Sequence, residues 1–253
     1  MIDEHISWFE EYVQGFFTGR PEDDDHLALK KEHSMKVLAE AQAITQTLGL
    51  SEKLTTAAHL AALYHDAGRF PQYRVYKTFK DSISANHAHL GARSLRSNRL
   101  LTGLGRDMRV LVLGAVAMHN RRALPEGISR ELDTITRIVR DSDKLDITRI
   151  MLDHLRPGGK RSDVVTLHVI DDPQRYSEAI VAQIRAGSMG DYALMRYEND
   201  FKLLLISWVF DLNFSAARRS FLERGHAGEL FDLLPRTAEL TQLRNSIYAV
   251  LNR

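Results

Sequence analysis

Apolar residues recur along this chain at the spacing of one helical face, and they do so in nearly every segment. Ile6, Phe9, Val13, Phe16 and Phe17 follow the i, i+3, i+4 pattern of a buried stripe. A second helix is predicted from Leu29 to Leu48, with Val37, Ala41, Ile44 and Leu48 on one side and Gly49 as its stop. Ser51 is placed to cap a third, which carries Leu54, Ala58, Ala61 and Tyr64 and ends near Gly68. The stretch Arg69 to Ser84, with Pro71 and many polar groups, reads as a loop. Helices resume over Asn86–Leu101, Arg106–Met118, Ile128–Lys144 and Ile147–His154.

Residues Arg156 to Lys160, Arg-Pro-Gly-Gly-Lys, form the clearest break. The β-branched run from Val164 to Ile170 suggests one extended piece. Further helices are expected over Tyr176–Arg185, Asp191–Phe210, Ser215–Arg224 and Ala238–Leu251. The expected class is therefore all-α. Its division is residues 1–155, holding the candidate chemistry, and 156–253, a helical extension packed on the same core.

Composition narrows the setting. A chain of 253 residues can bury a sizeable core, and a net charge of +1 gives no bulk attraction to nucleic acid. The absence of Cys excludes disulfides and thiolate ligands and is compatible with a reducing cytoplasm, the expected location. The acidic start is unlike a secretory signal, and the longest apolar runs, Val110–Met118 and Leu203–Phe210, fall far short of a bilayer span.

Against this background His33, the pair His65-Asp66, His87, His119 and Asp141 stand out. His33 shares the stripe of Val37. His119 follows Met108, Val112 and Ala115 at spacings of eleven, seven and four, and Asp141 lies between Ile138 and Leu145. Gly91, just beyond His87, would let another helix approach closely. Taken singly, such a His is more often a hydrogen-bonded core residue and such an Asp a cap. Together they are inward imidazoles and carboxylates from several helices, and burying them demands a common counter-charge. A pair of divalent ions supplies it, as in di-metal helical bundles. The donor set favours Mn, Fe, Co or Ni, with Zn or Mg also compatible.

The order H…HD…H…H…D resembles the HD superfamily of metal-dependent phosphohydrolases. The stretches that carry the resemblance are Glu32-His33-Ser34, Leu63 to Arg69, Asn86 to Ala92, Ala117 to Asn120 and Val139 to Asp146, spanning roughly residues 30–150. It implies a helical HD bundle with additional C-terminal helices. It also implies His33, His65, Asp66 and Asp141 as ligands of a first metal, and a bridging Asp66 with His87 and His119 as ligands of a second. His89 competes with His87, and Gly91 four residues after His87 selects the latter; His89 is left to reach substrate. Asn120 after His119, the missing Gly-Tyr-Pro and Arg69 in place of Lys all depart from the cyclic-dinucleotide branch of the superfamily.

Arg69 and Lys144 lie inside the motifs and are expected to serve catalysis with Asp66, with Arg69 also binding substrate phosphate. Arg121, Arg122 and His89 are further candidates for substrate binding. Arg74, Lys77 and Lys80 read as solvated loop charges, and Asp143 and Asp146 as helix-end carboxylates. His5, His26, His59, His154, His168 and His226 read as structural or exposed. The apolar run ending at Asp211 reads as core, with Trp208, Phe210 and Phe214 as alternative wall of a pocket or of a homodimer interface. The expected activity is hydrolysis of a phosphomonoester or nucleotide-like phosphate, the partner being a small phosphorylated molecule rather than a membrane or nucleic acid. A mixed-valent di-iron oxygenase and a non-catalytic regulatory module stay open as alternatives.

Overall fold

A computed structural model describes residues 1–156, 158 and 169–252. It is helical throughout, and among these residues the only β-type pairing is an isolated parallel bridge between Ile170 and Tyr197. The expected extended run is described only at its end, since residues 164–168 lie outside the described residues, as do His168 and most of the break at 156–160. The chain divides into two compact units, Met1–Asp146 and Ile147–Arg253. The division falls inside a long helix, earlier than the Pro-Gly-Gly break.

In the first unit, α1 (Ile2–Gln14) and α2 (Pro21–Thr45) are followed by α3 (Glu52–Tyr64) and α4 (Arg69–Tyr76), then α5 (His87–Ser97) and α6 (Arg106–Met118). Helix α2 begins eight positions before the apolar stripe suggested. Pro21 occupies its first turn, where no N–H is needed, and Glu22, Asp23 and Asp24 face the positive end of the helix dipole. Helix α3 is the centre of the unit. It packs on α1, α2 and α6, and every residue from Leu60 to Tyr64 is buried. Phe9 of α1 meets both Tyr64 and Phe70 edge-to-face at 6.0 Å.

The segment expected to be a loop is half helix. Pro71 sits in the first turn of α4, where its ring is tolerated, and Phe70 and Tyr73 supply a buried face too short to show periodicity. Lys77, at φ 53°, ends the helix in the left-handed region. The two helices expected around residues 128–154 are one, α7 (Arg130–Leu155).

The second unit holds α8 (Glu178–Arg185), α9 (Glu198–Ser207), α10 (Ser215–Glu223), α11 (His226–Asp232) and α12 (Ala238–Leu251). Helix α11 was not anticipated, and the long helix expected over Asp191–Phe210 is reduced to α9 between two 3-10 turns. Buried Asp200 accounts for the start of α9, accepting from the backbone N–H of Ser177, Arg196 and Tyr197 at 2.6, 2.8 and 3.0 Å. Trp208 and Val209 are buried, as the core reading of this stretch expects.

Candidate metal centre

The His-Asp pair is placed by the end of α3. His65 is its C-cap and Asp66 begins the tight turn into α4, so both side chains leave one rigid corner. His87 opens α5 behind the Asn86 cap, whose side chain accepts from the His89 N–H at 3.0 Å. His119 terminates α6, and His33 projects from the middle of α2. The corner and α5 touch through glycine. A Cβ on Gly68 would lie 2.0 Å from the His87 carbonyl oxygen and 2.4 Å from the Gly91 nitrogen. Only a chain without side chains at this crossing brings His87 to His65-Asp66, the role anticipated for Gly91.

Each of the four imidazoles is tethered through Nδ1. His65 and His119 donate to the carbonyls of Ala62 and Val116, both at 2.8 Å. His33 and His87 pair with the carboxylates of Asp146 and Asp81, both at 2.7 Å. A carbonyl can only accept, so in His65 and His119 the Nδ1 atom carries the proton and Nε2 is left as a lone-pair donor. Hydrogen bonding at the far nitrogen is the usual support of a metal-binding His.

The Nε2 atoms then converge in two pairs, His33 with His65 at 3.2 Å and His87 with His119 at 3.1 Å. Asp66 faces both pairs with different oxygens. Its Oδ2 lies 3.7 and 3.8 Å from the Nε2 of His33 and His65, and its Oδ1 lies 3.4 and 3.9 Å from those of His87 and His119. Two groups of three ligand atoms result: His33, His65 and Asp143, and Asp66, His87 and His119. Asp143 Oδ1 is buried without a well-formed hydrogen bond, yet stands 3.0 Å from His33 Nε2 and 3.5 Å from His65 Nε2. An orphaned anionic oxygen beside two imidazole nitrogens is the arrangement a shared cation completes. The residues therefore fit divalent metal at both groups.

The carboxylate brought to the first group is thus that of Asp143, whereas Asp141 belongs to neither group. The reason is the burial of α7. Ile135, Thr136, Ile138 to Ser142, Leu145 and Asp146 are all buried, so the inward phase that singled out Asp141 does not discriminate on this helix. Asp141 and Asp143 lie about 200° apart around it. Asp143 and Asp146, three apart, share a face and bracket the His33 ring from Nε2 and Nδ1. Both read in sequence as helix-end carboxylates; the i, i+3 pair was the available signal.

Charge around the groups is balanced by burial and proximity. Burial opposes ionisation of Asp66, but Lys30, His65 and Arg69 hold it well below the usual carboxylate range. Asp143 is likewise held low against burial by His33 and His65. Burial pushes His119 down to about 3, helped by the neighbouring His87 and His65 rings. Lys30, which sequence reasoning missed, places Nζ 2.8 Å from Asp66 Oδ2 and 5.5 Å from the Phe79 ring centre.

Arg69 is largely committed to the α4–α5 connection. Its Nη1 donates to the Phe79 carbonyl, to Gln72 Oε1 at 2.9 Å and to Asp81 Oδ1 at 3.0 Å, while Nε stands 3.4 Å from Asp66 Oδ1. Asp81, also missed, thereby ties His87, Arg69 and Gln72 together. His89 is exposed, as are Arg121 and Arg122, whose carbonyls accept from Arg140. Lys144 is half-buried, one residue after Asp143 and so about 100° away around α7.

Residues 31–148 match the family described as HD domain, and the stretch contains all six ligand positions of the two groups. The chain carries an HD domain. No curated protein and no solved structure matches the chain. An HD domain points to a superfamily of metal-dependent hydrolases, and both groups are compatible with bound metal. No helix among the described residues is long and apolar enough to cross a membrane.

Proposed function

We propose that the HD domain is a dinuclear metal-dependent phosphohydrolase acting on a phosphomonoester or nucleotide-like phosphate. The observation that carries this reading is the division of the two Asp66 oxygens between two histidine pairs. One carboxylate can then serve two ions, with His33, His65 and Asp143 completing one and His87 and His119 the other. Bound divalent metals lower the pKa of coordinated water and offset charge on phosphoryl oxygens. The chain's own part is to hold that geometry: Nδ1 tethers orient the four rings, and the buried walls exclude bulk water.

Cations at the mouth complete the proposal. Lys30, with Nζ 2.8 Å from Asp66 Oδ2, is the cation nearest the two groups and would meet a phosphate oxygen bound beside them. The Arg69 Nη2 group, which has no hydrogen bond to a described residue, provides a second contact. Lys144 and water are the candidates for protonating the leaving group, and His89, Arg121 and Arg122 for contacts farther out on the substrate.

The test is hydrolysis of p-nitrophenyl phosphate and of nucleoside monophosphates by protein reconstituted with Mn, Fe, Co or Ni. Metal-dependent turnover that Asp66→Ala abolishes supports the assignment. Oxygen consumption by the iron-loaded protein without phosphate release would favour the oxygenase reading instead.

A further inference from the structure

Outside the two histidine groups, four arginines without an ion pair to a described residue gather on a groove formed by the end of α5, the connection at 98–105 and the start of α6. Arg96, Arg99, Arg106 and Arg109 line it, and all four are exposed. None makes an ion pair with a described residue, although Lys and Arg elsewhere on the first unit commonly do. The cavity measures about 540 Å³, within the ~300–1,000 Å³ range of small-molecule sites. Its floor is apolar: Leu95 and Leu101 are buried beneath it, and Val110 at the rim is 57% exposed.

Arg99 adds an independent signal. It follows the C-cap Asn98 of α5 with φ 55°, and the Leu100 N–H closes back on the Leu95 carbonyl at 3.2 Å. That is the position where helices favour glycine, because a side chain in the left-handed region is strained. Local structure gains nothing from arginine there. Strain of this kind in a cleft motivates a search for a ligand that the side chain serves.

We propose that this groove binds a nucleoside polyphosphate, its phosphates held by Arg96, Arg99, Arg106 and Arg109 and its base lying on the leucine floor. Four guanidiniums match a chain of phosphates, since each can take two phosphate oxygens in one plane. The apolar floor calls for a planar, weakly polar body attached to that chain. The positive end of α6, at Arg106, adds to the same field. The concave shape and volume favour a small molecule over an extended polymer. The site is separate from the metal centre. Arg96 lies nine residues beyond His87 on α5, about 14 Å along the axis, and Arg106 lies thirteen residues before His119, about 20 Å.

The experiment is calorimetric titration of the full chain with its metals bound, the arginine variants, distant from the histidine groups, reporting binding at the groove alone. The probes are a non-hydrolysable nucleoside triphosphate analogue, inorganic tripolyphosphate, the unphosphorylated nucleoside and a short single-stranded oligonucleotide. The analogue should bind, and Arg106→Ala or Arg109→Ala should weaken it by about tenfold or more, the loss of a charge-assisted contact. Arg99→Gly should weaken binding as well, yet raise the melting temperature, because it relieves the backbone. A purely structural arginine would move both in the same direction. Absence of binding, or unchanged binding by the arginine variants, overturns the proposal. Equal affinity for tripolyphosphate would remove the base from it, and preference for the oligonucleotide would replace the ligand class.

Discussion

A histidine becomes a dependable ligand when one ring nitrogen is fixed and the other is exposed to the ion, and the four rings here are fixed by four different acceptors. The ring identities were legible in the sequence because each imidazole falls in an otherwise apolar stretch, where its burial needs an explanation. The tethers were not: the Ala62 and Val116 carbonyls are backbone, Asp81 lies in a stretch read as a polar loop, and Asp146 is 113 residues from the ring it holds. The sequence could not separate Asp141 from Asp143 for a related reason, since Ile138 to Ser142, Leu145 and Asp146 on α7 are all buried. Metal analysis separates the two. Asp143→Ala should lose the ion held by His33 and His65, Asp141→Ala should keep two ions per chain, and Asp66→Ala should lose both. Two ions retained by Asp143→Ala would restore Asp141. Away from the site, His226 was read in sequence as structural or exposed, and it is buried with Nδ1 unpartnered and its pKa pushed down to about 4 by burial. The unfolded chain takes up that proton near 6.5 and the folded chain only near 4, so stability should fall as pH drops through this window. His226→Gln should flatten that part of the melting-temperature profile; an unchanged slope would assign it to other groups.

Elements carry the site by where they end. Helices α3 and α6 stop at His65 and His119, α5 starts at His87, and these three ends meet because α3 packs on α6 and α6 on α5. The 3.6-residue pattern revealed those helices, and Gly91 marked the close approach, while Gly68 read only as a helix end. It could not reveal α4, whose eight residues are too few for a periodicity and whose proline argues for a loop at any position but the first turn. That short helix and the turn at Asp81–Ile83 matter because they deliver Asp81 to His87 and Arg69. Two substitutions test the element scale. Gly68→Ala forces a Cβ against the His87 carbonyl, so α5 must move outward. Overpacking of this kind costs about 1–3 kcal/mol, and the His87–His119 group should lose its ion first, read by metal content and urea denaturation together. Asp81→Ala leaves the crossing intact but frees the His87 ring. Loss of such a supporting acceptor typically weakens metal binding by about 10–100-fold, and titration should find the deficit in the second ion alone.

At the scale of the molecule, the two groups tie together α2, the α3–α4 corner, α5, α6 and α7, so an ion held there would couple its binding to folding of the Met1–Asp146 unit. An ion that binds the folded chain and not the unfolded one stabilises it by about 2.7 kcal/mol at a concentration one hundred times its Kd. For a chain of this size about 1 kcal/mol moves the melting temperature by roughly 2–4 °C, so each ion should raise it by about 5–10 °C. Chelation should reverse the rise. The increments also count the sites, because the two groups share only Asp66. His119→Ala should leave one increment, Asp143→Ala should leave the other, and Asp66→Ala should leave neither. The measurement needs no substrate, so it tests the centre independently of the reaction assigned to it. A melting temperature indifferent to Mn, Fe, Co and Ni would mean that the convergent Nε2 atoms hold no ion. The buried pairs would then have to be read as imidazoles satisfied by Asp66, Asp143 and Lys30 alone, and the hydrolase proposal would fall with the metals.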